Sequence, residues 1–236
     1  MTAYKKLGIM GGLGPAATAF LFDRIVALTD AACDQEHLDV TILNRPATPD
    51  RTAFLLGNST QDFTPAVCDA MRTLTQLGCE VLCIPCVTSH ASYKDYVRAA
   101  APARVLDFPG EIAADLRSRG CTRVGILATT GTVTTGFLQR KMQECGLEVR
   151  VPDERHQELV ESLIYDDVKA GRAPDMTKFT RACDHLADEG CDAVILGCTE
   201  LPLIDPPEFY RDMYVADSLS ILARAVIVAC GARLRA

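Results

Sequence analysis

The chain lacks tryptophan, has only four histidines, and contains no apolar run long enough to cross a membrane. A membrane-spanning helix needs about 18–20 consecutive apolar residues, so we expect no membrane partner. Basic residues are also in the minority, since 24 of them stand against 31 acidic residues and the formal net charge is −7. Nucleic-acid binding needs a concentrated basic face, and this balance argues against it.

The start of the sequence does not have the pattern of a secretory signal peptide. Met1–Lys6 is followed by a short apolar run and a Gly-Gly pair. A signal peptide would instead show a longer apolar segment and a small-residue cleavage site. We therefore expect a cytoplasmic protein. The 236 residues, 48% of them apolar and 23% charged, suit a globular protein of one large domain or two small ones.

Cysteine, in contrast, is abundant, with eleven residues in the chain. In a secreted protein this number would indicate a disulfide framework, but nothing else in the sequence indicates secretion. Several cysteines lie inside apolar runs, as Cys83 does, where a thiol usually acts as a small buried hydrophobic group. A catalytic role for any cysteine must therefore rest on its position and its neighbours.

Short β-type runs alternate with longer helical patterns along the chain. The predicted strands are Leu7–Met10, Val40–Asn44, Val81–Ile84, Val124–Ala128 and Ala193–Leu196. The predicted helices are Ala16–Ala32, Pro65–Leu77, Gly110–Arg119, Thr135–Cys145, Arg155–Ala170 and Met176–Glu189. This alternation predicts an α/β protein with parallel sheets and helices on both faces.

The sequence also contains an internal repeat. Lys6–Pro15 is similar to Arg123–Thr132, and Leu77–Cys86 is similar to Glu189–Cys198, with nearly the same separation in both pairs. We therefore predict two similar doubly wound half-domains related by a pseudo-two-fold axis, with the active site in the cleft between them. Residues 1–107 with 212–236 would form the first half-domain, and residues 108–211 the second.

Cys86 and Cys198 occupy equivalent points of this repeat, each directly after an apolar strand. Ligands of open α/β sheets bind beyond the carboxyl ends of the strands, so we expect a ligand with one thiol on each side. Such a pair can remove a proton from one face of a carbon and return one to the other. Thr88 and Thr199 follow the two cysteines, where we expect a helix N-terminus to lower the thiol pKa.

The chain resembles the aspartate/glutamate racemase family, and within it the aspartate racemase branch. The matching stretches, in family order, are Gly8–Thr18, Pro49–Thr52, Ile84–Cys86 with Thr88 and His90, Ala128–Thr132, Tyr165–Gly171 and Gly197–Pro202. The resemblance implies a homodimeric amino-acid racemase that needs neither pyridoxal phosphate nor a metal. It also implies an acidic amino-acid substrate, aspartate or glutamate, and a mechanism in which one cysteine thiolate takes the Cα proton while the other cysteine delivers one.

The resemblance assigns further roles residue by residue. Cys86 and Cys198 match the catalytic positions, and Arg51 and Lys169 match basic residues that bind substrate carboxylates. The remaining predicted substrate-binding residues are Gly12, Asp50, Thr88, Thr130, Thr132 and Thr199. Local positive charge is needed because a dianionic substrate meets a chain of net charge −7.

Arg51, Lys169 and His90 could each have a purely structural role instead. Arg51 could form a surface ion pair with Asp50 or Asp62, and Lys169 could be a solvated charge at a helix C-terminus. His90 could orient the site or cap a helix. At a fourth position the chain departs from the family, which usually has asparagine where Val87 stands. The loss of one hydrogen bond to a charged group is worth roughly 1.5–3 kcal/mol, so Val87 leaves the identity of the substrate open.

Other functions fit parts of the sequence. Gly12–Ala17 has the spacing of a dinucleotide-binding turn, but the next strand lacks the acidic residue that would bind a ribose, and Pro15 removes a backbone N–H. Cys83 and Cys86 form a C-x-x-C pair, which could serve redox chemistry or half a metal site. A related isomerase or decarboxylase acting on another carboxylate, and a non-catalytic amino-acid binder, also remain. Cys198 favours racemisation over decarboxylation, because one protonating cysteine suffices for the latter.

Overall fold

The computed structural model describes residues 4–235 and divides into two compact units. One unit consists of the chain up to Glu111 together with the segment from Leu219 onward, and the other is Ile112–Ser218. The half-domains expected from the sequence stay a prediction, and their outer ends at residues 1 and 236, like the first half of Met1–Lys6, lie outside the described residues. Within the described part of the chain, no helix has both the length and the apolar character needed to span a bilayer.

The first unit contains a four-stranded sheet in which every strand pair is parallel. Its strands are Leu7–Gly11 (β1), Val40–Asn44 (β2), Val81–Cys83 (β3) and Arg104–Val105 (β4), arranged in the order β2-β1-β3-β4. Ile9 is paired with Ile42 on one side and with Cys83 on the other. The central strand β1 is buried along its whole length, as expected for the middle of a parallel sheet.

Helices connect and follow these strands. They are Pro15–Leu28 (α1), Arg51–Leu55 (α2), Thr64–Gln76 (α3), Tyr93–Ala100 (α4) and Phe108–Ser118 (α5), which runs into the second unit. Helix α3 buries Val67, Met71 and Leu74, which recur at the spacing of one helix face. These side chains pack in a core cluster with Leu82 of β3, and each buried side chain of this size stabilises the fold by about 1.5–3 kcal/mol.

The second unit repeats this design and extends it by one strand. Its strands are Arg123–Leu127 (β5), Glu148–Arg150 (β6), Ala193–Leu196 (β7), Phe209–Tyr210 (β8) and Met213–Ala216 (β9), in the order β6-β5-β7-β9-β8. All neighbouring pairs are parallel except β8 with β9. The order β6-β5-β7-β9 therefore corresponds to β2-β1-β3-β4 of the first unit, and the sequence repeat falls on equivalent strands.

The helical segments of this unit are Thr130–Thr135 (α6), Phe137–Glu144 (α7), Glu154–Ser162 (α8), the π-helix Leu163–Val168 and Met176–Asp188 (α9). The last helix, Ser218–Ala229 (α10), leads back into the first unit. Helix α9 buries Phe179, Cys183 and Leu186 on one face and precedes β7 as α3 precedes β3. The predicted α/β class with parallel sheets is confirmed.

The predicted elements agree with the structure where the apolar pattern is strong. The five predicted strands are present, each within one residue at either end. Two predicted helices are corrected. The helix expected over Arg155–Ala170 changes to a π-helix at Leu163, and the one expected over Ala16–Ala32 ends at Leu28. Beyond Leu28 the backbone is extended at Thr29, whose hydroxyl donates to the carbonyl of Ile25.

Candidate active site

In the first unit, Cys86 lies in the loop beyond the carboxyl end of β3. Its backbone N–H donates to the carbonyl of Ile84 over 2.8 Å, and its own carbonyl accepts the hydroxyl of Ser89 over 2.8 Å. Nδ1 of His90 lies 2.9 Å from the same carbonyl and donates to it, since a carbonyl can only accept. The side chain of Cys86 is 7% exposed. His90 thus acts as a cap of the Cys86 loop.

The Cys86 loop is also anchored to helix α4. The buried hydroxyl of Tyr96 donates to the carbonyl of Ser89 over 2.9 Å. Burial, and to a smaller extent the neighbouring Cys86, raises the pKa of Tyr96, so this hydroxyl keeps its proton. Thr88 begins a single 3₁₀ turn and is half-buried, while Val87 is buried beside it. The position where the family usually has asparagine is therefore filled by an apolar side chain packed in the interior.

In the second unit, Cys198 lies in the loop beyond the carboxyl end of β7. Its Sγ donates to Oε2 of Glu200 over 3.0 Å, and the hydroxyl of Thr199 lies 3.5 Å from the same oxygen. The other carboxylate oxygen of Glu200 is 3.7 Å from Nζ of Lys169. Glu200 is only 6% exposed, so a thiol, a hydroxyl and an ammonium group meet at one buried carboxylate.

These surroundings determine the protonation of Cys198. Desolvation by the surrounding protein raises the pKa of the Cys198 thiol well above its usual value, and the negative charge of Glu200 raises it further. Lys169 opposes this effect only in part. We expected a helix N-terminus to lower the pKa of the Cys198 thiol, and for this thiol the expectation was wrong. Cys198 is followed by a 3₁₀ turn, Leu201–Ile204, whose dipole is small, and by a carboxylate that favours the thiol form.

Lys169 reaches Glu200 from the end of the π-helix. Its backbone N–H donates to the carbonyl of Ile164 over 2.9 Å, the five-residue spacing of a π-helix. Its Nζ also lies 4.6 Å from the ring centroid of Tyr165. A π-helical turn changes the direction of the following side chains and is frequent at functional sites. Lys169 is therefore held by a buried acid and an aromatic ring, and is not a purely solvated charge.

Arg51 is the first residue of α2 in the first unit. Its guanidinium donates to the carbonyl of Pro49 over 3.0 Å and to that of Leu13 over 3.4 Å, so it joins the loops that follow β1 and β2. Among the described residues it forms no ion pair with Asp50 or Asp62. Asp50 instead caps α2, because its Oδ1 accepts the backbone N–H of Ala53 over 2.7 Å. Within residues 4–235, no carboxylate forms an ion pair with Arg51.

Gly12 lies in the loop after β1 with a φ of 94°. A Cβ atom at this position would lie 2.5 Å from the backbone nitrogen of Arg45, a contact that real Cβ atoms do not make. The N–H of Gly12 donates to the hydroxyl of Thr18 over 3.0 Å. Glycine is therefore required by the close approach of two loops, and its amide already has a partner within the protein.

Two of the four threonines predicted to contact substrate, Thr130 and Thr132, lie beyond the carboxyl end of β5. The backbone N–H and the hydroxyl of Thr130 both donate to Oε2 of Glu161, over 2.8 and 3.1 Å. The backbone N–H of Thr132 donates to the hydroxyl of Thr129, the cap of α6. The roles of both threonines in substrate binding stay predictions. Glu161, which the sequence reasoning missed, holds this loop.

Cys83 does not support the redox alternative. Its side chain is fully buried in β3, and burial raises the pKa of its thiol, which disfavours the reactive thiolate. In the described part of the chain Cys83 and Cys86 are both free thiols. Cys83 is therefore a core residue inside β3, whereas Cys86, also buried, lies in the loop beyond the end of this strand.

Residues 10–226 match the sequence profile of the family described as Asp/Glu/Hydantoin racemase. The match covers most of the chain, and the chain belongs to this family. Among solved structures it is similar to the aspartate racemase of Picrophilus torridus, with 28% identity and a TM-score of 0.84, over 98% of this chain and 96% of that one.

The chain is also similar to glutamate racemases. The glutamate racemase of Francisella tularensis in complex with D-glutamate shares the fold at 14% identity and a TM-score of 0.64, over 96% of this chain and 82% of that one. The glutamate racemase of Ectopseudomonas mendocina is 30% identical over 64% of this chain and 56% of its own length. The chain thus spans little more than half the length of the curated relatives that it matches.

Proposed function

We propose that this chain is an amino-acid racemase that interconverts the L and D enantiomers of aspartate, with Cys86 and Cys198 as its two acid–base groups. One observation carries the proposal. In each unit a cysteine follows an interior strand at the equivalent place in the sheet order, Cys86 after β3 beside β1 and Cys198 after β7 beside β5. Loops at the carboxyl ends of parallel strands are where α/β proteins place their ligand-binding groups.

In the proposed reaction the enzyme changes only in which of the two cysteines carries a proton. The thiolate of one cysteine breaks the Cα–H bond and takes the proton, and the electron pair left on Cα spreads onto the α-carboxylate. The thiol of the other cysteine then delivers its proton to the opposite face of Cα. Because desolvation and Glu200 favour the thiol form of Cys198, we assign the proton-donating role to Cys198 in one direction of the reaction and leave proton abstraction to Cys86.

Two cations support an acidic substrate. Among the described residues, the Arg51 guanidinium donates its hydrogen bonds to carbonyl oxygens, so its charge is available to a carboxylate, which it can bind with two parallel hydrogen bonds. Lys169 is the second cation, shared with Glu200. Aspartate is proposed in preference to glutamate because a solved structure that is similar over nearly the full length of both chains is that of an aspartate racemase. Asp50, Thr88 and Thr199 are proposed as further substrate contacts.

The test is racemisation of aspartate and glutamate in D₂O, followed by NMR and chiral chromatography. Cys86→Ala and Cys198→Ala should each nearly abolish racemisation, because each removes one of the two proton carriers. Cys33→Ala changes an exposed cysteine of the first unit and serves as the matched control, which should keep wild-type turnover. A single-cysteine variant that still racemises at the wild-type rate would exclude the two-base mechanism.

The isotope pattern separates two bases from one. Early product of inverted configuration should carry deuterium while recovered substrate stays protiated, since the abstracted proton and the delivered deuteron lie on different sulfurs. Equal early deuteration of substrate and product would indicate a single exchanging base. Release of CO₂ without an optical change would favour a decarboxylase, and binding without turnover a sequestering protein.

We also propose a homodimer, on the family resemblance alone. Sedimentation equilibrium should give about twice the 25.5 kDa of the chain. The expected cytoplasmic location stays a prediction.

A further inference from the structure

Outside the proposed catalytic residues, the second unit brings two of the four histidines of the chain together with an aspartate. The cluster consists of Asp153, His156 and His185, and one potential ligand atom from each lies within 4.8 Å of the others. Asp153 caps the start of α8, His156 lies in the first turn of that helix, and His185 lies in the last turn of α9. Residues about 30 positions apart in the sequence thus converge because the two helices are packed together.

The contacts within the cluster fix the orientation of its nitrogen atoms. Nδ1 of His156 lies 2.6 Å from Oδ1 of Asp153, and Nε2 of His185 accepts the backbone N–H of Asp153 over 3.3 Å. Because Nε2 of His185 accepts a hydrogen bond, its lone pair is directed toward Asp153. The two rings are stacked with centroids 4.5 Å apart and planes 6° from parallel. Both imidazole rings are therefore hydrogen-bonded to Asp153.

We propose that Asp153, His156 and His185 bind a divalent transition-metal ion of the zinc or nickel type. Imidazole and carboxylate are the ligands that such ions accept in proteins. Metal–ligand bonds of about 2.0–2.2 Å would bring the three ligand atoms to about 3.3 Å from one another. Rotation of side chains that are partly exposed, 21% for His156 and 53% for Asp153, can close the present separation. The ion would replace the hydrogen bonds that Nδ1 of His156 and Nε2 of His185 now make with Asp153.

The Asp153 carboxylate and the C-terminal end of α9 favour a cation at the cluster, whereas the N-terminus of α8 opposes it. Asp153 contributes a negative charge, and among the described residues no lysine or arginine forms an ion pair with it. His185 lies at the C-terminal end of α9, where the aligned peptide dipoles stabilise positive charge. Three protein ligands leave at least one position for water, as in open metal sites. A bound ion would join the start of α8 to the end of α9.

The experiment is calorimetric titration of the full chain with Ni²⁺, repeated for Asp153→Asn, His156→Ala and His185→Ala. Loss of an outer partner of a metal ligand already weakens metal binding about 10–100-fold, so loss of a direct ligand should weaken Ni²⁺ binding at least about tenfold. Asparagine at position 153 can still cap α8, so this variant separates the lost ligand from a lost cap. His37→Ala, which removes a histidine of the other unit, is the control and should bind Ni²⁺ like the wild type.

Two further readouts decide the location of the metal. Ni²⁺ should raise the melting temperature of the wild type and of His37→Ala, and should have no such effect on His185→Ala. Unchanged Ni²⁺ affinity in the His156→Ala/His185→Ala double variant would overturn the proposal. So would a thiolate-to-metal charge-transfer band with Co²⁺ as the probe, because it would place the ion on cysteine. None of these measurements depends on racemase activity.

Discussion

At the scale of the single residue, Glu200 has the largest effect on the chemistry proposed for Cys198. Its carboxylate accepts the Sγ proton and carries a negative charge 3.0 Å away, so formation of a thiolate would place two negative charges side by side. Lys169 relieves this repulsion only from the far side of the carboxylate. We therefore regard Glu200 as a positioning residue that keeps the proton on Cys198.

Glu200→Gln should lower the pKa of the Cys198 thiol, because the amide retains the shape and loses the charge. The measurement is the pH dependence of Cys198 alkylation by iodoacetamide, followed by mass spectrometry of its peptide. Its midpoint should move to lower pH. Glu161→Gln is the control, since this carboxylate accepts hydrogen bonds from Thr130 and, in the part of the chain that the structure describes, from no cysteine. An alkylation profile that is the same in wild type and Glu200→Gln would contradict the assigned role.

At the scale of the element, Gly12 controls how closely the loop after β1 approaches the loop after β2. A side chain here meets two obstacles, a φ of 94° and the backbone of Arg45 at 2.5 Å. Arg51 donates to Leu13, the next residue along the loop. Displacement of this loop would therefore also displace a proposed substrate-binding side chain.

Gly12→Ala should reduce the free energy of unfolding by more than Gly57→Ala. Both glycines have positive φ, which costs a residue with a side chain about 1–2 kcal/mol, but a Cβ at Gly57 would meet nothing within 4 Å. The difference between the two variants, measured by urea denaturation, isolates the clash with Arg45. Equal losses of unfolding free energy in the two variants would show that the two loops can move apart without an energetic cost.

The strands predicted from sequence all lie on apolar runs, although two apolar elements, β9 and α10, were not predicted. Strands β1, β2, β3, β5 and β7 were found for this reason. Strands β4 and β8 have two residues each, too few to show a period, and β6 lies largely on polar residues. The π-helix was missed because its sequence, Leu163–Val168, continues the helical pattern of α8, and only the hydrogen bonds of the folded chain show the wider turn.

The same limit applies to the candidate site. The two cysteines were identifiable from the repeat, and Glu200 was visible two residues after Cys198 but was not singled out. Glu161 could not be found, because its partner Thr130 lies 31 residues away in the sequence. The contacts of Gly12 and Thr130 within the protein are likewise products of folding.

At the scale of the whole molecule, the cysteines make stability sensitive to alkaline pH. Folding raises the pKa of eight of the eleven thiols, mainly by desolvation, with Cys183 at about 12 and Cys191 and Cys230 at about 11. Above the ordinary thiol value of 9.0 the unfolded chain loses these protons while the folded chain retains them. Proton retention by the folded state means that stability falls as pH rises.

We therefore expect the midpoint of urea denaturation to be constant with respect to these thiols up to about pH 9 and to fall between pH 9 and 12. Measurements should be made in reducing agent to prevent disulfide formation. Cys183→Ala removes one fully buried thiol and should make the alkaline decline less steep, whereas Cys33→Ala, which removes an exposed one, should leave it unchanged. A midpoint that stays level from pH 8 to 11 would contradict this account.

The unequal surroundings of Cys86 and Cys198 have a consequence for the kinetics of the proposed racemisation. L and D enantiomers have equal free energies in water, so the equilibrium constant of a racemase is one. The Haldane relation then requires kcat/KM to be the same in both directions, whatever hydrogen bonds each sulfur makes. The hydrogen bond from Cys198 to Glu200, and those from Ser89 and His90 to the Cys86 carbonyl, therefore cannot make kcat/KM differ between the two directions. They can only make kcat and KM differ by the same factor. The enantiomer that is turned over faster must also have the higher KM, by the same factor.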